Sequence, residues 1–258
     1  MEKEATKVTD WPELTGEMER LLRLRTYPIA YKRLEKEEEL EKIPRVRRFD
    51  RDFSARSYFC LIPTIVRRGG LTIGALRGDL HYRCARLHGL AATTEELIER
   101  DVAYMKTAWF ATEDEARKQM AAYPTIPPGE AIVLAPLASG KFDPDVILVY
   151  GTPGQLMMLM CGLQFKDYER FQFFFISEGA CADGLDQCYV SGKPALAIPC
   201  YGERRFGGVE DDELVLALPP GMLGKAVEGL QGLWERGLRY PIASPVQPDI
   251  IPSGRPRA

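Results

Sequence analysis

Two histidines flank one cysteine in the segment HYRCARLHG, residues 81–89. His81 and His88 stand three residues before and four residues after Cys84, and on a helix these offsets place the three side chains on roughly one face. Imidazole and thiolate both bind metals, so a compact metal site is one interpretation of the segment. The spacing fits established zinc patterns poorly, so partners for Cys84 are also sought among the cysteines elsewhere in the chain.

Six cysteines occur in the chain, and no two of them form a CxxC pair. Cys84 follows the predicted strand LTIGAL, Cys181 follows the predicted strand FQFFFI, and Cys200 ends PALAIPC. In open α/β sheets the loops beyond the carboxyl ends of the strands converge on one crevice, so these three thiols are expected to meet there. Cys60, in the predicted helix of SYFCLIPTIVRRGG, could face the same crevice.

Four thiols from separate loops could hold a four-iron, four-sulfur (4Fe-4S) cluster. A tetrahedral zinc ion is an alternative, and so is no metal at all, because free cysteine is often a small buried apolar residue. Cys161, within LMMLMCGL, and Cys188 are the cysteines expected in the core. The segment EGACADG places Cys181 near a helix start, where backbone amides would lower the thiol pKa.

Four further side chains are candidate substrate-binding groups. Arg204 and Arg205 follow Cys200 in PCYGERRFGG and could bind a carboxylate or phosphate in bidentate fashion. Lys32 is a cation on the apolar strand YPIAYKRL. His88 is a candidate pocket residue, whereas His81 is expected at the surface.

The overall composition is that of a globular protein without a strong charge. The chain has 258 residues, 45% of them hydrophobic, and a net charge of −3 from 34 basic and 37 acidic residues. No global field attracts nucleic acid or an anionic bilayer, and we expect neither partner. The chain shows neither a signal-peptide core nor a membrane-length apolar run, so a cytoplasmic location with reduced thiols is expected.

The order of predicted elements indicates an α/β fold, with a mixed β-sheet and helices packed on its faces. An N-terminal helix within residues 1–25, with Thr15 as a candidate cap, precedes a single α/β domain over 26–240. The proline-rich segment at 123–129 is a candidate boundary inside that domain, and 241–258 form a proline-rich tail. AIVLAPL, DVILVYG and DELVLALP are further predicted strands. The predicted helices and strands before and after residues 123–129 agree in part, so the domain could consist of two similar halves.

A set of short motifs resembles a prokaryotic family known as domain of unknown function 169. In order, the motifs are YPIAYKRL, SYFCLIPTIVRRGG, RCARLHGL, DPDVILVYGTPGQ, EGACADG, PCYGERR and DDELVLALP. They span about residues 28 to 220, and their order carries the resemblance more than any single motif. The resemblance implies a cysteine set of Cys60, Cys84, Cys181 and Cys200, together with a proline-led strand that ends in lysine, here Pro28 to Lys32. Arg83, Arg86 and His88 depart from the family pattern, which has small residues after the cysteine.

The leading functional hypothesis is therefore a cytoplasmic metalloprotein with an iron–sulfur cluster beside a small-molecule pocket, acting in redox or Lewis-acid chemistry. A thiolate enzyme is the second hypothesis, with Cys181 or Cys200 as nucleophile and Arg204 or Arg205 holding an acidic substrate. A non-catalytic sensor of a small molecule or metal is the third. A homo-oligomer or an electron-transfer partner stays open.

Overall fold

A computed structural model describes residues 9–52 and 57–242 of the chain, so most of the 241–258 tail lies outside the described residues. The strands are β1 (Ile29–Leu34), β2 (Val46–Arg48), β3 (Thr72–Leu76), β4 (Ala131–Pro136), β5 (Val146–Gly151), β6 (Ala195–Ala197) and β7 (Leu214–Leu218). The α-helices are α1 (Trp11–Leu22), α2 (Glu38–Glu41), α3 (Phe49–Asp52), α4 (Leu61–Gly69), α5 (Tyr82–Leu87), α6 (Glu95–Ala108), α7 (Glu113–Ala122), α8 (Pro153–Gln164), α9 (Gln187–Ser191), α10 (Tyr201–Gly207) and α11 (Leu223–Glu235). A π-helical turn, Ala182–Asp186, leads into α9.

The seven strands form one mixed sheet in the order β2-β3-β4-β1-β5-β7-β6, which confirms the predicted α/β class. The β2–β3 pair is parallel, and the other neighbouring pairs are antiparallel. The segment 123–129 leads from α7 into β4, which pairs with both β1 and β3. Strands from before and after this segment therefore share one sheet.

Alternate side chains of the central strands pack into two separate hydrophobic cores, one on each face of the sheet. In β1, Tyr31 packs into a core with Ile62 of α4, and the neighbouring Ala30 belongs to a core formed with α1, α8 and α11. In β5, Tyr150 and Val149 divide in the same way. Period-two burial on both faces explains why these strands are almost continuously apolar.

Capping residues set several of the predicted helix starts. Thr94 and Thr112 cap α6 and α7 by accepting hydrogen bonds from the backbone amides of Leu97 and Glu115. The prediction for α1 was wrong: Asp10 caps this helix, whereas Thr15 is buried inside it. Thr15 instead donates to the carbonyl of Trp11, one turn earlier.

The predicted strand FQFFFI, residues 171–176, was also wrong, because these residues adopt no regular secondary structure. Phe174 and Phe175 are exposed. Strand propensity expresses the fit of a side chain to a pleated, half-buried surface, and three consecutive phenylalanines cannot all face the same side of a strand. Among the described residues, no helix is both long and apolar enough to cross a membrane.

The α8–α11 pair packs so closely that its contact depends on two glycines. A methyl group on Gly229 would lie 1.9 Å from the carbonyl oxygen of Gly162, and one on Gly162 would lie 2.6 Å from that of Ala226. Both helices bury their apolar faces in the same core. The backbones can approach to this distance only where side chains are absent.

We predict that Gly229→Ala lowers the free energy of unfolding by about 2–3 kcal/mol, because the added methyl group forces α11 away from α8. Gly224→Ala is the matched control in the same helix, since nothing lies within 4 Å of its added methyl group. The control should change stability by less than about 1 kcal/mol. Urea unfolding under reducing conditions measures both changes, and equal stabilities of the two variants would contradict the prediction.

Candidate functional site

Four of the six cysteines line one cavity of about 700 Å³. Cys60 directly precedes α4, Cys84 lies in α5, Cys181 precedes the π-helical turn, and Cys200 directly precedes α10. All six cysteines lie within the described residues, and none of them forms a disulfide. The four thiols that the sequence groups together are thus brought to one place by four separate segments.

The other two cysteines lie outside this cavity. Cys188 is buried in the core, as predicted. The same prediction for Cys161 was wrong, because it is only half-buried and its sulfur lies 3.6 Å from that of Met157 on α8. A helix that packs on one side exposes its other side, even within an apolar run.

Backbone pairing brings Cys60 and Cys84 together. The Ser57 amide donates to the Asp79 carbonyl, and the His81 amide donates back to the Ser57 carbonyl, both at 2.9 Å. Farther along, the Phe59 amide lies 3.5 Å from the Cys84 sulfur and donates to it. The segment before α4 therefore runs beside the segment that enters α5.

Cys181 and Cys200 are connected through a glutamate. The two carboxylate oxygens of Glu178 accept the backbone amides of Tyr201 and Gly202, at 3.0 and 2.9 Å, at the start of α10. A methyl group on Gly202 would lie 3.6 Å from the Cys60 sulfur and 3.7 Å from the Cys200 sulfur. These two sulfurs therefore border the same glycine.

The cavity environment favours neutral thiols. Burial raises the pKa of Cys84 and raises that of Cys200 to about 12. The pKa values of Cys60 and Cys181 lie well above the usual range, first because of burial and then because of nearby negative groups that include the other cavity cysteines. This direction is opposite to the lowered pKa expected for Cys181, because desolvation outweighs the backbone amides near the helix start.

A chain of buried polar groups lies under the cysteines. The Arg67 guanidinium makes two hydrogen bonds to Glu213, at 2.6 and 3.0 Å, and lies 4.4 Å from the Tyr150 ring centroid. The Tyr150 hydroxyl donates to Glu203 of α10 at 3.0 Å. Burial raises the pKa of Glu203 to about 7, although the Tyr150 hydrogen bond and the Arg67 charge oppose the rise.

Of the four candidate substrate-binding residues, Arg205 lines the cavity and the other three do not. The Lys32 ammonium donates to the Asp143 carbonyl at 2.9 Å. Arg204 donates to the carbonyls of Pro199 and Glu210, at 3.1 and 2.8 Å, so it fastens α10 to the following loop.

The two histidines exchange the places expected for them. His88 is completely buried, and its Nδ1 atom lies 3.0 Å from a carboxylate oxygen of Asp186. The centroids of the His88 and Phe59 rings are 3.9 Å apart. His81 lines the cavity and stacks on Tyr58 with ring centroids 4.9 Å apart. His88 therefore links the segment of Cys84 to the segment of Cys181 through its contact with Asp186, and His81 belongs to the cavity wall.

Several residues of the cavity wall lie outside the set predicted from the sequence. Their side chains are aromatic or cationic: Tyr58, Tyr82, Arg83, Arg100, Tyr104, Trp109, Tyr201 and Phe206. Arg83 donates to the Tyr123 hydroxyl at 2.9 Å, and that hydroxyl donates to the Glu178 carbonyl at 2.7 Å. Five of these wall residues lie near a cavity cysteine in the sequence: Tyr58, Tyr82, Arg83 and Tyr201 within two residues, and Phe206 within six. The other three, Arg100, Tyr104 and Trp109, lie on or beside α6 and carry no sequence signal that links them to the cavity.

Within residues 9–52 and 57–242, no three histidine, cysteine, aspartate or glutamate side chains are grouped so as to hold a single metal ion. The four cavity thiols therefore do not form a compact site for a single metal ion.

The chain is similar to other proteins over most of its length. The family model DUF169, described as "Uncharacterised ArCR", matches residues 17–229, which contain all four cavity cysteines. A similar protein is the uncharacterised protein MJ0308 of Methanocaldococcus jannaschii, 30% identical over 145 residues. The match covers 55% of this chain and 62% of the relative's length. No solved structure matches the chain.

We predict that Glu203 makes the metal-free protein less stable as the pH rises from about 4.5 to about 7. Its folded pKa of about 7 lies above the ordinary value of 4.5, so the folded state holds a proton that the unfolded state has released in this range. The difference corresponds to a loss of about 3 kcal/mol by pH 8. In Glu203→Gln this loss should be absent.

Urea unfolding at several pH values between 4.5 and 8 measures the effect. Glu235→Gln is the control, because Glu235 is exposed on α11, and it should keep the pH dependence of the unmodified chain. A Glu203→Gln variant with the same pH dependence as the unmodified chain would rule out a protonated Glu203 in the fold.

Proposed function

The chain belongs to the DUF169 family, and from its cysteine-lined cavity we propose that it is a metalloprotein with a four-iron, four-sulfur cluster. Cys60, Cys84, Cys181 and Cys200 are the proposed ligands, and the rest of the cavity is the proposed small-molecule pocket. The cysteines reach this cavity from four different segments, and this convergence is the observation that carries the proposal. A cytoplasmic location, which keeps thiols reduced, is part of the same proposal.

The donor set does not form a cage for a single tetrahedral ion. Zinc–sulfur bonds of about 2.3 Å in a tetrahedron would bring the sulfurs within about 4 Å of one another. No such group of three donors exists among the described residues. Each cysteine of a four-iron cluster binds a different iron, so the cluster accepts a wider separation of its four thiolates.

A cationic side chain of the cavity wall could balance the charge of the proposed cluster. Arg83 directly precedes Cys84 in the chain and lines the same cavity. A guanidinium at this position would stabilise the net negative charge of a thiolate-bound cluster. When bound, the cluster would supply electron transfer or a Lewis-acidic iron at the cavity floor.

The thiols would have to lose protons to bind the cluster. Their pKa values are raised in the metal-free cavity, so binding should release protons and weaken at low pH. The same raised values disfavour the second hypothesis, in which Cys181 or Cys200 attacks as a free thiolate. A nucleophilic cysteine normally lies where its pKa is lowered.

We predict that anaerobically reconstituted protein binds iron and sulfide, and that alanine substitution of any one of the four cysteines removes most of the iron. Iron and acid-labile sulfide analysis, with visible absorption and electron paramagnetic resonance spectra of the reduced protein, measures the cluster. Cys161→Ala is the matched control, because Cys161 lies on α8 and does not line the cavity. It should keep the iron content of the unmodified chain.

A second measurement avoids any variant that folds poorly. Alkylation of reconstituted protein, mapped by mass spectrometry, should leave the four cavity cysteines protected while Cys161 is labelled. Removal of iron with a chelator should restore labelling of the four. Protein without iron or sulfide after reconstitution, or Cys161→Ala with the same loss of iron as the cavity variants, would disprove the proposal.

A further inference from the structure

The mouth of the cavity differs in chemistry from its cysteine floor. Six aromatic side chains line it, namely Tyr58, Tyr82, Tyr104, Trp109, Tyr201 and Phe206. Trp109, Tyr201 and Phe206 are 40%, 52% and 40% exposed. Large aromatic rings normally bury most of their surface, so a group of exposed rings around a cavity marks a place where a ligand would cover them.

The rings pack against one another in pairs. Tyr58 and Phe206 lie nearly parallel, with centroids 4.3 Å apart and an interplanar angle of 11°. Trp109 meets Tyr201 edge to face at 5.4 Å. A flat ring system that covers the exposed faces and edges of these rings gains contacts that a bulky saturated molecule of similar size would not.

Three arginines also line the cavity: Arg83, Arg100 and Arg205. In the part of the chain that the structure describes, none of the three forms an ion pair with a carboxylate. The one carboxylate of the cavity wall, Glu178, already accepts two backbone amides of α10. The cavity therefore presents positive charge that the protein itself leaves unbalanced.

The arginines and the rings occupy the same walls. The Arg100 guanidinium lies 4.0 Å from the Tyr82 ring centroid, and the Arg205 guanidinium lies 5.7 Å from that of Phe206. Arg205 also donates to the Tyr201 hydroxyl at 3.0 Å. A guanidinium held against an aromatic face keeps its N–H edge free for an oxygen anion.

We propose that the cavity binds a planar, anionic small molecule, a ring system that carries a carboxylate or a phosphate group. The ring stacks among the mouth aromatics, and Arg100 and Arg205 bind its anionic group. This inference rests on the proposed function, since it names the class of molecule that would lie beside the cluster. Binding itself needs only the cavity walls, so it can be measured with and without iron.

Isothermal titration calorimetry on iron-free and reconstituted protein tests the inference with four probes. 2-Naphthoate is planar and anionic, naphthalene-2-carboxamide is planar and neutral, and decahydronaphthalene-2-carboxylate is anionic and saturated. 2-Naphthyl phosphate carries a phosphate on the same ring system. We expect 2-naphthoate or 2-naphthyl phosphate to bind at least about tenfold more tightly than the neutral and the saturated probes. Whichever of the two binds more tightly identifies the preferred anionic group as carboxylate or phosphate.

Variants locate the binding. Arg100→Gln and Arg205→Gln should each weaken binding of the anionic planar probe by about tenfold or more, because each loses a charged hydrogen bond. Arg25→Gln is the control, since Arg25 is exposed, pairs with Asp212 and lies outside the cavity. It should bind the probe as the unmodified chain does.

The outcomes separate this inference from the proposed function. Iron binding without any preference for planar anions overturns the ligand class and leaves the cluster. A preference for planar anions without iron binding overturns the cluster and supports the ligand class. Equal affinity for all four probes, binding of none of them, or equal loss in Arg25→Gln and the two cavity variants would overturn the inference.

Discussion

A buried chain of polar groups holds the site together, and the placement of the cysteines depends on it. Arg67 of α4 is fully buried and binds Glu213, which directly precedes β7. The Arg67 guanidinium lies over the ring of Tyr150 on β5. Tyr150 in turn binds Glu203 of α10. A buried charge that loses its partner costs about 3–5 kcal/mol, so α4 and α10 can shift relative to the sheet only at high cost. Cys60 and Cys200 precede these two helices and share their fixed positions.

The cysteines converge for a reason other than a common edge of parallel strands. The rule that loops meet beyond the carboxyl ends of strands belongs to parallel sheets, whereas this sheet is mostly antiparallel. β3 and β6, which precede Cys84 and Cys200, are separated by four strands in the sheet order. The thiols meet because the segments that carry them cover the same face of the sheet, and three of the thiols pack directly against the core of that face.

The cavity combines two environments that explain its mixed chemistry. Its floor is desolvated, so the thiols stay protonated unless something replaces their protons. Its mouth is partly exposed and positively charged, so the arginines keep their charge in contact with water. A ligand that spans both environments would meet soft sulfur donors at one end, with aromatic faces and guanidinium groups at the other.

The sequence by itself determined the α/β class, most strands, and the caps of α6 and α7, because period-two burial and capping side chains act over short distances. It also indicated the four cysteines, but the tertiary structure brings them to one cavity. Only the tertiary structure decided which histidine reaches the cavity, since His81 and His88 flank opposite ends of the short helix α5. It also decided that Lys32 and Arg204 bind carbonyls elsewhere. The aromatic mouth depends on α6 folding over α10, where Trp109 meets Tyr201 across 92 residues of chain, and no local pattern encodes a contact between such distant segments.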